Sequence, residues 1–370
     1  MRVGVPKETR PGERRVAVTP ARIKALLDVG VAVAVEEGAG EEAGFPNASY
    51  EREGALVGPR GLVFDADVLL QVHTAAAPSR GRPQTRIGLA DPLGSPSDIA
   101  ELAANGVTLF ALELLPRITR AQSMDVLSSM ATLSGYKAAL LAAERLPKIF
   151  PMMVTAAGTL APARVLVLGA GVAGLSAIAT SRRLGAVVTA YDVRPEVKEE
   201  VESVGGRFAE LPLDTTDASD ERGYARPLGE DFYSRQREHM HRLVSGVDVV
   251  ITTAAIPGRA APRLVTEAMF EHMNEGSVIV DLAAASGGNC EGAAPDTVTH
   301  RKGVTILGPT NLPASVPCHA SQLYAKNITT FFLQLVKGGE LDINSDDVIV
   351  RETLVTTAGA VVHPRCSRAT

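Results

Sequence analysis

The chain has 370 residues, of which 45% are hydrophobic and 21% charged, a composition typical of soluble globular proteins. This length exceeds what one hydrophobic core usually supports, so we expect two domains. The formal net charge of -5, with Arg and acidic residues interspersed, argues against a nucleic-acid partner, because phosphate binding depends on clustered Lys and Arg.

The sequence shows no window of about 18 uncharged apolar residues, and its first residues lead directly into a strand-like segment. We therefore expect a cytoplasmic chain with neither direct membrane insertion nor a secretory signal. Cys290, Cys318 and Cys366 stand at unrelated spacings, which suits unpaired thiols in a reducing compartment. Neither these cysteines nor the histidines have the spacing of a metal site, so none is predicted.

The N-terminal third alternates strand and helix signals, which indicates a first α/β domain. A helix should begin at Thr19 and Pro20, an N-cap followed by proline in the first turn, and end at Gly30. Residues 78–96 are rich in Pro, Gly and Ser and should form a loop with one short strand at 87–89. Further strands are predicted at residues 2–6, 31–35, 66–72 and 107–112.

The next segment, residues 116–128, is a candidate site because it follows an apolar strand and leads into a long helix at the expected domain boundary. Arg117, Gln122 and Asp125 supply a cation, an amide and a carboxylate. A nicotinamide carboxamide needs both a donor and an acceptor, which these side chains provide. An ordinary helix start, with Ser123 or Asp125 as its cap, is an equally good interpretation.

Residues 163–192 read ARVLVLGAGVAGLSAIATSRRLGAVVTAYD and combine a strand, a glycine turn, a helix and a second, parallel strand. Gly169 permits the tight turn, Gly171 lets the backbone approach a pyrophosphate, and Gly174 lets helix and strand pack closely. The helix N-terminus offers unpaired N–H groups to the diphosphate. Because these parts occur in the required order, the unit predicts dinucleotide binding.

Asp192 ends the second strand, roughly 20 residues after the first glycine, where an acid can bind a ribose 2′-OH. Its charge would repel a 2′-phosphate, which favours NAD over NADP. Arg194 follows two residues later and weakens that inference, because a nearby arginine can accommodate the phosphate.

The segment 214–229 is rich in acidic residues and poor in large apolar ones, so we expect an exposed, mobile loop. The alternative is a lid over the nucleotide, with Tyr224 between Gly223 and Ala225 as its closing side chain.

The whole pattern predicts an α/β fold of two Rossmann-like domains with doubly wound parallel sheets. The first domain should be discontinuous, at 1–127 plus 311–370, and the nucleotide-binding domain should span 128–310. A helix near 321–336 and a hairpin-like segment at 348–363 should pack back on the first domain. The remaining predicted elements are helices at 123–146 and 232–244 and strands at 207–211, 247–253, 277–282 and 304–307.

Several motifs together resemble the NAD(H)-binding domain I in the α subunit of proton-translocating nicotinamide nucleotide transhydrogenases. They are KETRPGERRVAVTP, RAQSMDVLSS, FPMMVTAAGT, VLGAGVAGLSAIATSRRLGAVVTAYDVR, ITTAAIPG, GSVIVDLA, GGNC and LYAKN. The similarity runs over nearly the whole chain and is broken mainly in the polar insertion and the tail. The length resembles the form in which this domain is a separate soluble subunit, the first of the pieces into which the α subunit is then divided.

The resemblance implies direct hydride transfer between NADH on this chain and NADP⁺ on a β subunit. Such transfer needs no acid, base or metal here, only nicotinamide rings held about 3–3.5 Å apart. It also implies a homodimer on the cytoplasmic side of a membrane complex whose other subunits bind NADP(H) and span the membrane.

The resemblance further implies a role for each site residue. The nicotinamide would be oriented by Arg117, Gln122 and Asp125, with Ser128 beside them. The pyrophosphate would be held by Gly169, Gly171, Val172 and Gly174, and the adenosine ribose by Asp192, Val193 and Arg194. Gly223 and Tyr224 would lie on the family's mobile loop, and Ala255 would border the nucleotide.

Alanine dehydrogenases share this fold and are the main rival. They bind an amino acid through an arginine, a lysine, a histidine and an aspartate; here Arg15 remains, but the other matching positions are His73, Ala90 and Ala285. Arg15 is then interpreted as a structural or vestigial charge. Asp281 either caps a turn or faces a cleft. A non-catalytic NAD-binding module is the other alternative.

Overall fold

The computed structural model describes residues 1–74, 83–212, 230–255, 259–344 and 346–367. The chain divides into two compact units, one of Met1–Met130 with Pro313–Thr370 and one of Ala131–Leu312. The predicted polar insertion, with Gly223 and Tyr224, lies outside the described residues.

The secondary structure alternates strands and helices along the chain. The described strands are β1 (Arg2–Val5), β2 (Ala32–Glu36), β3 (Leu56–Gly58), β4 (Val68–His73), β5 (Gln84–Leu89), β6 (Val107–Ala111), β7 (Met153–Thr155), β8 (Gly158–Leu160), β9 (Arg164–Leu168), β10 (Val187–Tyr191), β11 (Arg207–Phe208), β12 (Val249–Thr252), β13 (Val278–Asp281), β14 (Val298–Arg301), β15 (Val304–Leu307), β16 (Val336–Lys337), β17 (Glu340–Leu341), β18 (Leu354–Thr357) and β19 (Ala360–Val361). The described α-helices are α1 (Pro20–Leu27), α2 (Asn47–Arg52), α3 (Arg60–Phe64), α4 (Pro96–Ala104), α5 (Val126–Arg145), α6 (Val172–Arg183), α7 (Lys198–Ser203), α8 (Glu230–Val244), α9 (Glu267–Phe270), α10 (Pro317–Gln334) and α11 (Val348–Thr353).

The first unit is built on a sheet with the strand order β19-β18-β6-β5-β4-β1-β2-β3. The strands β1 to β6 pair in parallel, and β18 pairs antiparallel with β6. Strand β4 is buried along almost its whole length, as expected for a parallel strand covered on both faces. The C-terminal segment thus completes the sheet, and the prediction of a discontinuous first domain is confirmed.

Two details of this unit differ from the sequence prediction. The short strand predicted at 87–89 begins three residues earlier, because β5 opens with polar residues that are buried and paired. Gln84 donates to the carbonyls of Phe64 and Ala66 at 2.9 and 3.1 Å, and Arg86 donates to the Gln84 side chain at 3.2 Å. Hydropathy alone therefore hides the start of this strand.

The hairpin predicted at 348–363 is wrong in its first part. Residues 348–353 form α11, since Asp347 accepts a hydrogen bond from the Ile349 N–H at 2.8 Å and caps the helix. Only β18 and β19 form the hairpin. Thr19 occupies the N-cap position of α1, as predicted, but its side chain makes no capping hydrogen bond.

The second unit has a sheet with the order β11-β10-β9-β12-β13-β15-β14, parallel except for β14 at its edge. Alternate residues of β9 face opposite cores: Val165 and Val167 lie in one cluster, and Leu166 and Leu168 lie in the other. Both faces of the sheet are therefore covered, and the predicted doubly wound α/β fold is confirmed. Strand β14 and the β7–β8 hairpin were not predicted.

Helix α5 is long and apolar enough to cross a membrane by length and composition alone. A core helix of a folded protein passes the same test. Three of its alanines, Ala138, Ala139 and Ala142, are fully buried in one core of the second unit. The buried share of its apolar window is 33%.

Glu113 has an unusual environment in the first unit. One carboxylate oxygen accepts hydrogen bonds from the N–H groups of Ala90 and Asp91 at 2.7 and 2.5 Å, while Oε2 is buried without a partner among the described residues. Burial raises the pKa of Glu113 to about 7, and burial likewise raises the pKa of Glu8 to about 7. Both folded pKa values lie above the ordinary 4.5, so folding takes up protons between these limits.

The variant Glu113→Gln is expected to lose less stability than the wild type between pH 5 and pH 8. The Glu113 contribution is fully present below about pH 4.5 and is lost as the pH rises through about 7. Between pH 5 and pH 8 the unfolding free energy of the wild type should fall more than that of the variant, by on the order of 2 kcal/mol, at about 1.4 kcal/mol per pKa unit. Denaturant unfolding at both pH values measures it, with the exposed Glu53→Gln as control. An unchanged pH dependence in Glu113→Gln would contradict the assignment.

Candidate functional site

The second unit places a tight glycine turn at the end of β9. Gly169 has a φ of 97°, a conformation that side chains disfavour, and its N–H donates to the Tyr191 carbonyl at 2.8 Å. The Thr253 hydroxyl donates to the Gly169 carbonyl at 2.9 Å. The turn is therefore fixed to the two strands that flank β9 in the sheet.

The next two glycines differ in what surrounds them. A Cβ on Gly174 would lie 1.9 Å from the Gly169 carbonyl oxygen, so α6 packs against the turn too closely for any side chain. A Cβ on Gly171 would meet nothing within 4 Å in the part of the chain that the structure describes. Gly171 is the N-cap of the 12-residue helix α6, whose first N–H groups lack a side-chain cap. Open backbone at a helix N-terminus fits an anionic group such as a diphosphate.

Asp192 follows β10 and is almost entirely buried. Its Oδ1 accepts from the N–H and the Nε of Arg194, both at 2.9 Å. Its Oδ2 accepts from the Ala170 N–H at 2.7 Å and from Arg194 Nη2 at 2.9 Å. Four donors fill the acceptor positions of a carboxylate. A ribose hydroxyl can therefore bind Asp192 only if Arg194 yields at least one of these bonds.

The segment that contains Ala255 is held by Asn289, a residue whose role the sequence patterns did not indicate. The fully buried Asn289 of the GGNC motif accepts from the Ala254 N–H at 3.0 Å and donates to the carbonyls of Ala254 and Pro262 at 2.8 Å. An asparagine within a glycine-rich motif is the only sequence signal that could have indicated this role. Asn289 therefore links the chain on both sides of residues 256–258.

Asp281 lies at the end of β13 and is fully buried. Its two oxygens accept from the N–H groups of Ala283 and Cys290, each at 2.9 Å. Of the two interpretations left open by the sequence, the geometry favours a carboxylate that caps the turn after β13.

Val193, between Asp192 and Arg194, is partly buried and packs against a hydrophobic core of the second unit.

In the first unit, the candidate loop contains a 3-10 turn at Thr119–Met124. Ala121 and Met124 are buried, whereas Arg117 and Gln122 are exposed. The Asp125 carboxylate accepts from the Ser128 N–H at 2.9 Å and from the Ser128 hydroxyl at 2.5 Å. Asp125 therefore caps α5, as one interpretation proposed, and this bond also orients Ser128.

Arg15 is buried and already paired. Its Nε and Nη2 donate to the two carboxylate oxygens of Glu13 at 2.7 and 2.6 Å. His73 Nε2 lies 3.0 Å from the same Glu13 carboxylate. Burial alone would raise the pKa of Glu13, but the hydrogen bonds from Arg15 and His73 hold that pKa below its usual range. The side chains of Arg15 and His73 thus both bind the internal carboxylate of Glu13.

Within the ranges that the structure describes, no group of three or more His, Cys, Asp or Glu side chains could hold a metal ion. The free thiols of Cys290 and Cys366 are buried, and burial raises the pKa of each.

A parallel sheet with a glycine turn, an open helix N-terminus and a buried acid after the next strand defines a nucleotide-binding protein of the Rossmann type. The chain belongs to the alanine dehydrogenase/PNT family. The model of its N-terminal domain matches residues 4–134, and that of its C-terminal domain matches residues 138–364. This family implies nicotinamide nucleotide binding and oxidoreductase chemistry.

Three relatives illustrate the range of similarity. The chain is 42% identical over 377 residues to the first part of NAD(P) transhydrogenase subunit alpha from Rhodospirillum rubrum, with 98% of each chain covered. The crystal structure of transhydrogenase from Sinorhizobium meliloti matches with a TM-score of 0.86 and 45% identity, over 98% of this chain and 100% of that one. Alanine dehydrogenase of Mycobacterium tuberculosis is 30% identical over 381 residues, covering 99% of this chain and 95% of the relative.

Proposed function

We propose that this chain is the NAD(H)-binding component of a proton-translocating, Re/Si-specific NAD(P)⁺ transhydrogenase. In this function, hydride passes directly between NADH on this chain and NADP⁺ on a partner subunit. The observation that carries the choice over alanine dehydrogenase is the loss of the amino-acid site: the matching lysine, histidine and aspartate positions hold His73, Ala90 and Ala285, and His73 lies against Glu13, the carboxylate that Arg15 binds. The higher identity to transhydrogenase relatives supports the same choice.

In the second unit the chain's own groups bind and orient the nucleotide. The backbone at Gly169, Gly171 and Gly174 and the N-terminus of α6, beginning at Val172, would hold the pyrophosphate. Asp192, Val193 and Arg194 would border the adenosine ribose. Ala255 lies on the segment that Asn289 fixes, and would line the nucleotide. The bound NADH supplies the hydride, so these residues need no acid–base role.

In the first unit, Arg117, Gln122 and Asp125 would orient the nicotinamide ring, with Ser128 fixed by Asp125. Exposed Gln122 offers the donor and acceptor that a carboxamide needs. Holding the ring in one orientation lowers the barrier because the reacting atoms then meet without a further search. Gly223 and Tyr224, which lie outside the described residues, are also proposed to bind the nucleotide.

The relatives' names support a complex of several subunits. A relative named as one part of a subunit alpha belongs to a complex of several subunits. We propose a homodimer that is cytoplasmic and peripheral to the inner membrane, held there by an NADP(H)-binding β subunit and a membrane-spanning subunit. The NADP(H) that accepts or supplies the hydride would be bound by the β subunit.

The test mixes the purified chain with an NADP(H)-binding β-subunit domain and follows reduction of an NAD analogue by NADPH. Transfer that requires both proteins supports the proposal. NADH binding without transfer would favour a non-catalytic module. NADH formation from NAD⁺ and L-alanine by the chain alone would favour the alanine dehydrogenase alternative and overturn the assignment.

The variant Asp192→Ala is expected to erode the preference for NADH over NADPH. It removes the acceptor of the ribose hydroxyls, a loss of roughly 1.5–3 kcal/mol, or about 10- to 100-fold in affinity. It also frees the Arg194 guanidinium to pair with a 2′-phosphate. The opposite variant, Arg194→Gln, should strengthen the preference because the Asp192 charge is then unpaired. Fluorescence titration of both nucleotides measures the ratio, and an unchanged ratio in both variants would remove Asp192 from this role.

A further inference from the structure

The loop assigned to ring placement is attached to the C-terminal segment of the same unit. Arg120, within the 3-10 turn Thr119–Met124, donates from Nη1 and Nη2 to the two oxygens of Asp347 at 2.8 and 2.6 Å. Such a two-bond pair fixes direction as well as distance, because guanidinium and carboxylate are both planar. The pair joins residues separated by 227 positions in the chain.

Asp347 is itself immobilised. Its Oδ1 accepts from the Ile349 N–H at 2.8 Å, and its Oδ2 accepts from Gln334 Nε2 at 3.0 Å. The Asp347 side chain is only 20% exposed. The hydrogen bond from Arg120 lowers the pKa of Asp347 to about 2, so the carboxylate is charged at neutral pH. Asp347 therefore connects the loop to α11, which it caps, and to Gln334, the last residue of α10.

A second attachment comes from the LYAKN motif, for which the proposed nucleotide site gives no role. Asn327, on α10, donates from Nδ2 to the Ser123 carbonyl at 2.8 Å, one residue after Gln122. The Oδ1 of Asn327 is buried and has no hydrogen-bond partner among the described residues. Burying an amide oxygen without a hydrogen bond costs folding free energy. A residue that is kept despite such a cost is expected to have a role, and here the Nδ2 group of Asn327 holds the loop.

We propose that Asp347 is a positioning residue for hydride transfer, which fixes the Arg117–Gln122–Asp125 loop through Arg120, beside the bond from Asn327 to the Ser123 carbonyl. This inference rests on the proposed function. Gln122 is exposed, and the Ser123 carbonyl and the Arg120 side chain on either side of it are held by Asn327 and Asp347. The buried side chains of Ala121 and Met124 hold the turn against the core of the unit. The hydrogen bonds from Arg120 to Asp347 and from Asn327 to the Ser123 carbonyl fix its orientation.

The test compares Arg120→Gln, Asp347→Asn and the double variant with wild type. Asparagine is as good an N-cap as aspartate, so Asp347→Asn removes the ion pair while keeping the start of α11. The matched control is Asp342→Asn, which removes the ion pair with Lys337 from the same C-terminal segment. Each variant is assayed for NADH affinity, for kcat of transfer with the NADP(H)-binding partner, and for hydrogen exchange of the amides at 118–125.

We expect each single variant to lower kcat roughly 10-fold, since a displacement of about 1 Å can cost up to 100-fold. NADH affinity should change less than about twofold, a difference below about 0.4 kcal/mol. Amide exchange at 118–125 should rise. The double variant should be no slower than the slower single variant, because both remove one interaction. Arg120→Lys should recover part of the rate, and Asp342→Asn should match wild type.

The experiment distinguishes failure of the positioning role from failure of the proposed function. If wild type transfers hydride and the variants match it, or if the two substitutions act additively, the positioning role is wrong. If wild type shows no transfer, the proposed function is wrong, and hydrogen exchange alone then decides whether the pair fixes the loop: unchanged exchange at 118–125 overturns the inference.

Discussion

Replacing Gly171 by valine is expected to abolish NADH binding while leaving the second unit folded. A Cβ at this position meets no atom of the described residues within 4 Å, so a side chain here would project into the space assigned to the pyrophosphate. The expected loss of affinity is at least about 100-fold, or about 2.7 kcal/mol. Valine is a poor N-cap, so a fall of up to about 1 kcal/mol in unfolding free energy is expected as well. Fluorescence titration and denaturant unfolding measure the two quantities.

Gly174→Ala provides the contrast to this variant. Its Cβ would lie 1.9 Å from the Gly169 carbonyl oxygen, so it should destabilise the fold itself by displacing α6 from the turn. Gly171→Val should thus remove NADH binding from a folded protein, whereas Gly174→Ala should lower the free energy of unfolding. Near-normal NADH affinity in Gly171→Val would show that the pyrophosphate does not approach this backbone.

The second large effect is expected for Gln122→Asn. The shorter side chain withdraws the amide by about 1 Å, a displacement that can cost up to about 100-fold in rate when reacting groups must be aligned. NADH affinity should fall much less, because most of the proposed binding contacts belong to the glycine turn of the second unit. A fall in kcat with little change in affinity identifies an interaction made chiefly in the transition state.

Thr119→Ser, on the same 3-10 turn and also exposed, is the control for nonspecific disturbance of the loop. It should leave both kcat and NADH affinity unchanged. If Gln122→Asn lowered rate and affinity to the same extent, Gln122 would be a simple binding residue rather than one that orients the ring.

The parts of the fold that the sequence predicts well are those with a strong local pattern. The strand–turn–helix at 163–192 combines apolar runs with glycines whose conformations are required locally, so each part of the sequence points to the same structure. The discontinuous first domain could be inferred because the tail carries its own apolar pattern. Strand β5 and helix α11 were misjudged where buried polar residues, Gln84 and Arg86, or a capping side chain, Asp347, replace the apolar signal.

The connections between distant segments were outside the reach of sequence reasoning. Asn289 holds the Ala255 segment, and Asp347 and Asn327 hold the loop at 117–125, through contacts between residues far apart in the chain. Spacing and periodicity report only local geometry, so they could not assign these partners. The hydrogen bonds of Asp192 were likewise hidden, since the spacing of Asp192 and Arg194 does not show that the two side chains bind each other.

The most direct measurement of the central claim follows deuterium from NADPH labelled at C4 into an NAD analogue, with this chain and its NADP(H)-binding partner together in ordinary water. Direct transfer between nucleotides on two proteins predicts that the deuterium appears in the reduced analogue without loss to solvent, and that Gln122→Asn slows the transfer. Loss of the label to water, or transfer without this chain, would contradict direct transfer by the proposed complex.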